Sequence, residues 1–301
     1  MPSPADLAEL VRAPAALSVP GDVFAGAAAA GTLGPRTPAL AGASVLLYWA
    51  GMAANDWADR RLDAVERPER PIPSGRVSPP VAFGLAAGLT AAGLALATAA
   101  GGRRAAAVAL PLAATVWGYD LAAKNTAAGP AVMAACRGLD VLLGASGGRL
   151  RRAVPAAVTV AAHTWTVTAL SRREVSGAEA GLPLRTLAGT ALVAAAAAAP
   201  PAARTRRAGD PARHRVRLVR VAAALPAVLA GWYAARYGGA QARVVAEPSA
   251  GRVRAAVGAG ITGLPALQGA LTARSGAGLL GLAVAAAVPL GRRLARKVSP
   301  T

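Results

Sequence analysis

Apolar stretches of roughly 20 residues recur along most of this chain, the length an α-helix needs to cross a hydrocarbon core about 30 Å thick. They fall near residues 15–33, 38–56, 80–101, 104–122, 128–147, 153–170, 184–203, 216–236, 253–272 and 275–291. Lipid offers no partner to a peptide group, so segments of this kind cross a membrane only as helices that bond their own backbone. The expected fold is an all-α, polytopic transmembrane bundle of nine or ten spans, with residues 1–301 forming a single domain. The count turns on the last two stretches, which only Thr272-Ala273-Arg274-Ser275-Gly276 divides.

Hydrophobic residues make up 54% of the chain and charged residues 16%, against about 25% charge in an ordinary soluble protein. That is too little charge to clothe a soluble surface. Much of the apolar content is Ala, so mean hydropathy is only +0.42. Single spans are weakly committed to lipid, and close packing through small residues must supply stability. The net charge of +19 comes from Arg residues set between apolar stretches. That placement suits anionic lipid headgroups and a bilayer partner, and argues against nucleic acid. Cys136 is the only cysteine, which excludes an intramolecular disulfide and a cysteine zinc site. The opening MPSPADLAEL has no basic segment leading into an apolar core, so no cleavable signal peptide is expected.

Polar chemistry gathers in three connections: Asp56 to Pro80, Tyr119 to Pro130 and Ser171 to Pro183. They follow the second, fourth and sixth stretches, so all three belong on one side. With the N-terminus inside, that side and the Arg292–Lys297 tail are cytoplasmic, as the positive-inside rule prefers. Residues 204–220, with seven Arg, then lie outside, against the rule. The expected location is a bacterial inner membrane with the active face toward the cytoplasm.

Asn55, Asp59 and Asp63 are spaced by four and share one helical face, with Asp56 beside it. Carboxylates crowded on one face repel unless a cation lies among them. Mg²⁺ takes such hard oxygen ligands and commonly completes its shell with substrate phosphates. In the following Glu66-Arg67-Pro68-Glu69-Arg70-Pro71-Ile72-Pro73-Ser74-Gly75, the prolines end the helix and hold Arg67 and Arg70 near the acidic face. Guanidinium forks pair with phosphate oxygens. The bland alternative is a solvated, salt-bridged span end.

The run Asn55-Asp56-x-x-Asp59-x-x-x-Asp63, then Arg67-Pro68 and Arg70-Pro71-Ile72-Pro73-Ser74-Gly75, resembles the first signature of the UbiA family of membrane prenyltransferases. The resemblance implies a helical bundle around a cavity, with the acidic cluster at its polar mouth. It also implies Mg²⁺ on Asn55, Asp59 and Asp63, with Asp56 assisting, and a prenyl diphosphate near Arg67 and Arg70. Tyr119-Asp120-Leu121-Ala122-Ala123-Lys124 is similar to the family's Tyr-to-Lys segment. There Lys124 would bind diphosphate and Tyr119 would lie near the reacting carbon; Asp120 and Lys124 are also spaced to pair with each other. At the place of the family's second acidic motif stands Ser171-Arg172-Arg173-Glu174. Only Glu174 there could bind metal, and Arg172 could neutralise diphosphate instead. With Gly129-Pro130, Cys136-Arg137-Gly138-Leu139-Asp140 and Gly263-Leu264-Pro265-Ala266-Leu267-Gln268, the chain is similar to the EboC-like subgroup.

The implied activity is Mg²⁺-dependent transfer of a prenyl group to a hydrophobic acceptor, aromatic or lipid-like, within the membrane. The altered third segment keeps a non-catalytic carrier of a polyprenyl or other amphiphile as the alternative. A basic scaffold would explain the Arg content but not the Asn55–Gly75 pattern. Arg137 and Asp140 fall inside an apolar stretch, where charge marks either a site or a structural ion pair. His163 reads as a residue that bonds one helix to another. His214 reads as solvated and Cys136 as a small buried side chain.

Overall fold

The computed structural model describes residues 2–179, 181–199 and 224–287, and every regular element among them is helical. The elements are α1 (Pro4–Leu10), α2 (Pro20–Ala30), α3 (Thr37–Glu66), α4 (Pro79–Gly118), α5 (Gly129–Gly144), α6 (Val154–Ser171) and α7 (Gly181–Ala198). Then come α8 (residues 224–246, with a π-helical turn at Ala234–Gly238), α9 (Ala250–Arg274) and α10 (Gly278–Ala287). The 204–220 segment with His214, the Arg292–Lys297 tail and parts of three expected spans lie outside the described residues.

Proline and glycine set most boundaries. Proline occupies the first turn of α1 through α6, where its missing N–H and fixed φ cost nothing. Gly31 (φ 73°) closes α2. Gly102 (φ 64°, ψ −157°) breaks α4 into two arms that match the expected spans 80–101 and 104–122. Other expectations need correction. Among the described residues, the helices long and apolar enough to cross a membrane are α3, α4 with the turn after it, and α7. The expected span 15–33 contains an α2 of 11 residues, because Pro20 and Gly31 punctuate it. The stretch expected to end at 236 runs on to 246 through a π turn. Spans that are mostly Ala and Gly carry little hydropathy of their own.

Packing supplies what hydropathy lacks. One core joins α6 to α9 through residues such as Val160, Leu170, Tyr233, Tyr237 and Leu267. A second joins α2 to α5 through Val23, Leu47, Leu112 and Leu143. Between α2 and α5 the backbones touch: a Cβ on Gly26 would lie 1.7 Å from the Val141 carbonyl oxygen, and one on Gly144 would lie 2.0 Å from that of Val23. Helical backbone cannot yield as a side chain can. Gly144→Ala is therefore expected to destabilise the bundle by about 1–3 kcal/mol or more. Thermal unfolding in detergent reads this out; an unchanged midpoint would show that α2 and α5 separate freely. His163 links α6 to α8 as expected, its Nδ1 lying 2.8 Å from the Tyr233 hydroxyl.

Candidate active site

The helix α3 continues beyond its apolar part, and its last three turns carry the acidic face. Asp56 and Asp63 are almost fully buried, at 4% and 2% exposure. Every carboxylate on this face meets a cation. Arg70 lies 2.7 Å from Asp63 and 3.4 Å from Asp56, and Arg67 lies 3.9 Å from Asp63. The Pro-rich stretch folds back after Glu66, bringing Arg70 onto the helix it has just left, and turns at Gly75 (φ 76°). Lys124 lies 2.7 Å from Asp59.

The connection after α4 brings in the second segment. Tyr119–Ala123 is a single π turn, in which the Lys124 N–H donates to the Tyr119 carbonyl, 2.9 Å. A π turn inserts one residue into the repeat, so Asp120 and Lys124 no longer stack and the expected pair between them does not form. Lys124 reaches across to Asp59, and Asp120 accepts from the Asn55 amide at 3.1 Å. Arg172 donates to the Thr126 carbonyl in this same connection. Asn55, Asp56, Asp59, Asp63, Arg67, Arg70, Tyr119, Lys124 and Arg172 thus come to one end of the bundle.

Glu174 does not join them. Its carbonyl accepts from Arg254, 2.7 Å, and no ion pair or hydrogen bond among the described residues ties it to the acidic face. Burial pushes its carboxyl above the ordinary range while Arg254 pulls it back. The turn after α6 packs against the start of α9, where the Ala178 N–H donates to the Pro248 carbonyl.

The sequence reading missed Arg12. It occupies the left-handed region (φ 47°, ψ 50°), uncommon for a residue with a Cβ. Backbone strain of this kind persists where the surroundings fix it. Arg12 donates to Asp56 at 2.9 Å. Leu10 and Val11 pack with Ala53, Ala54, Ile72 and Val77. Arg76 bonds Asp6 and Glu9 at 2.8 and 2.7 Å, so α1 is strapped over the acidic end. Nothing local in the sequence around Arg12 announces this, because its partner lies 44 positions away.

Beneath this end a partly open cavity lies between α3, α4 and α5. Tyr119 and Asp120 line it at the acidic end, Leu47, Met52, Leu112 and Val116 form apolar wall beside the Tyr48 phenol, and Ser44, Arg137 and Asp140 line it deeper. Asp140 accepts from Ser44. The i,i+3 pair with Arg137 is not made, because Arg137 instead meets Asp22 at 2.8 Å. Asp22 was also missed, though a carboxylate inside an apolar stretch is the signal that could have found it.

Asn55, Asp56, Asp59 and Asp63 offer the hard oxygens that Mg²⁺ takes, so the donor chemistry fits this ion. No group of three or more His, Cys, Asp and Glu is gathered as a metal cage among the described residues; Arg12, Arg70 and Lys124 pair with the carboxylates of this face instead.

The model of the UbiA prenyltransferase family matches residues 19–236. The chain belongs to that family. Among curated proteins, it is 48% identical over 75 residues to a digeranylgeranylglyceryl phosphate synthase of Natronomonas pharaonis, a stretch covering 24% of this chain and 27% of that one. A protein of the same name from Ignicoccus hospitalis is 41% identical over 93 residues, 31% of each chain. The chain thus spans about a quarter to a third of the length of these curated relatives. Among solved structures, the apo form of a UbiA homolog from Aeropyrum pernix K1 superposes with a TM-score of 0.64 at 20% identity. That match covers 88% of this chain and 96% of the other. It shows that the family's helical fold extends well beyond the matched motifs.

Proposed function

We propose that this UbiA-family chain is a Mg²⁺-dependent membrane prenyltransferase that moves a prenyl group from a prenyl diphosphate to a hydrophobic, lipid-like or aromatic acceptor. The observation that carries this reading is the alternation of buried carboxylates with Arg12, Arg70 and Lys124 at the mouth of an apolar-walled cavity. Asn55, Asp59 and Asp63 would hold the ion, with Asp56 assisting. When bound, Mg²⁺ supplies positive charge to the diphosphate leaving group. Arg67, Arg70, Lys124 and Arg172 supply donors for its oxygens. The allylic C–O bond breaks with its electron pair leaving on diphosphate, the acceptor atom bonds to that carbon, and the acceptor gives up a proton. Tyr119 offers a ring face to the cation-like carbon. The apolar walls exclude water, which would otherwise capture that carbon.

The cation-rich end, with Arg60, Arg61, Arg67, Arg70, Arg172 and Arg173, supports placing it at the cytoplasmic face of a bacterial inner membrane. The EboC-like likeness of residues 129–140 and 263–268 belongs to this reading as its finer part. The curated relatives described above carry the name digeranylgeranylglyceryl phosphate synthase.

The test is pyrophosphate release by purified protein in detergent with Mg²⁺, a panel of prenyl diphosphates and a lipid-plus-aromatic extract as acceptor. Acceptor-dependent release supports the transferase. The carrier alternative is favoured by Ser171-Arg172-Arg173-Glu174, which offers only one carboxylate at the place of a second acidic motif; ligand binding without turnover would replace the transferase by it. If no donor binds or turns over, the assignment of the site fails.

Arg12→Gln tests the strap. Losing one charge-assisted contact near the diphosphate is expected to weaken prenyl diphosphate binding about 10-fold. The bundle's thermal midpoint should change little, since Arg70 still lies 3.4 Å from Asp56. Equal affinity in equilibrium binding would mean that Arg12 serves Asp56 alone.

A further inference from the structure

The deep end of the cavity is not what a hydrocarbon tail needs. Gly51 marks the level of the mouth: a Cβ there would meet Val116 Cγ1 at 2.7 Å and Asp120 Oδ2 at 3.5 Å. Ser44 lies seven residues earlier on α3, so its level is about 10 Å further in at 1.5 Å per residue. There Ser44 donates to Asp140, and both residues line the cavity. Asp140 is 6% exposed. Behind it, Arg137 is taken by Asp22 and by the Ser18 carbonyl at 3.2 Å. Gln268 donates to the same two residues, at 2.6 and 2.7 Å.

Arg137 therefore pairs with Asp22, and Asp140, the buried carboxylate that faces the cavity, makes no ion pair with it. A carboxylate can accept about four hydrogen bonds, and covering it with hydrocarbon leaves that capacity unmet at considerable cost. A ligand that fills this space well must bring a donor to it.

We infer that Asp140, braced by Ser44, is the subsite for a second, hydrogen-bond-donating group of the acceptor, a hydroxyl or amine about 10 Å from its reacting atom. This rests on the transferase reading, because it needs the reacting end to lie at Tyr119 and the acidic mouth. The acceptor class is then an amphiphile with a polar group at each end of an apolar middle. A plain hydrocarbon-tailed nucleophile is disfavoured.

The probes are a phenol carrying a para hydroxyhexyl chain and its para heptyl analogue, of similar length. Their binding to full-length protein in nanodiscs is compared for wild type, Asp140→Leu, Asp140→Asn and Ser44→Ala. Because Arg137 is paired with Asp22, Asp140→Leu strands no charge and the bundle should stay folded; Ser44→Ala, which only removes the brace, is the milder control. Wild type should prefer the hydroxyl-ended probe at least 10-fold. Asp140→Leu should erase that preference, and Asp140→Asn and Ser44→Ala should reduce it. Geranylgeranyl diphosphate binding should remain within twofold throughout. No preference in wild type, or a preference that survives Asp140→Leu, overturns the subsite. So does an equal loss of geranylgeranyl diphosphate binding in that variant, which would make Asp140 part of the prenyl chamber or of the packing. If wild type binds no prenyl diphosphate while the hydroxyl preference still depends on Asp140, the transferase reading falls and the subsite stands.

Discussion

Replacing Asp59 and Asp63 together by Ala is expected to lower acceptor-dependent pyrophosphate release by at least ~10²-fold, the scale seen when preorganised electrostatic groups are lost. Both carboxylates belong to the proposed Mg²⁺ set. Both also hold the cations meant for diphosphate: Asp59 fixes Lys124 at 2.7 Å, and Asp63 fixes Arg70 at 2.7 Å. The double variant therefore loses oxygen ligands and the placement of two cations at once. Folding should survive, because Arg70 keeps Asp56 at 3.4 Å and Asp56 keeps Arg12 at 2.9 Å. The assay is pyrophosphate release with saturating prenyl diphosphate and Mg²⁺, alongside the thermal midpoint. Near-wild-type release by a folded double variant would remove the acidic face from the chemistry.

Asp22→Ala should produce the largest loss of stability. Asp22 is fully buried, and it joins Arg137 at 2.8 Å and Gln268 at 2.6 Å. Asp22→Ala takes from Arg137 its ion-pair partner and from Gln268 an acceptor, and breaking a buried pair in this way costs about 3–5 kcal/mol, a large part of the roughly 5–15 kcal/mol that holds a typical protein folded. The variant should solubilise poorly or unfold at a much lower temperature. Removing both charges, as Asp22→Leu with Arg137→Met, should recover most of the loss, since apolar replacements of a whole buried pair are often neutral or better. A single Asp22→Ala variant with a wild-type midpoint would mean that water or another group already neutralises Arg137.

Much of this architecture was legible before any coordinates. The spacing of Asn55, Asp59 and Asp63 by four predicts one helical face, and α3 presents it. Pro79 and the break at Gly102 divide the region 80–122 where composition suggested. The three polar connections converge on one end, as an even number of crossings requires, with Lys124 and Arg172 arriving from the second and third. Where the reading failed, non-local contacts decided. Asp120 and Lys124 have the spacing of a pair, but a π turn between them changes the register and gives each a different partner on α3. Arg137 and Asp140 have similar spacing, but each finds its partner on another helix. Glu174 belongs to the right connection, and its carbonyl is met by Arg254 of α9.

By itself, then, the sequence determined that the chain is a helical membrane bundle, where proline and glycine punctuate many of its helices, and which face carries the acidic chemistry. These follow from hydropathy, proline, glycine and helical periodicity, which act within a few residues. Only the tertiary structure decided which cation meets which carboxylate, that Arg12 is strapped across the mouth, and that the cavity has a polar deep end. Those outcomes depend on groups as far apart as Asp22 and Gln268, 246 positions along the chain. A buried charge takes whichever partner the packed helices bring within reach, and no local pattern encodes that choice.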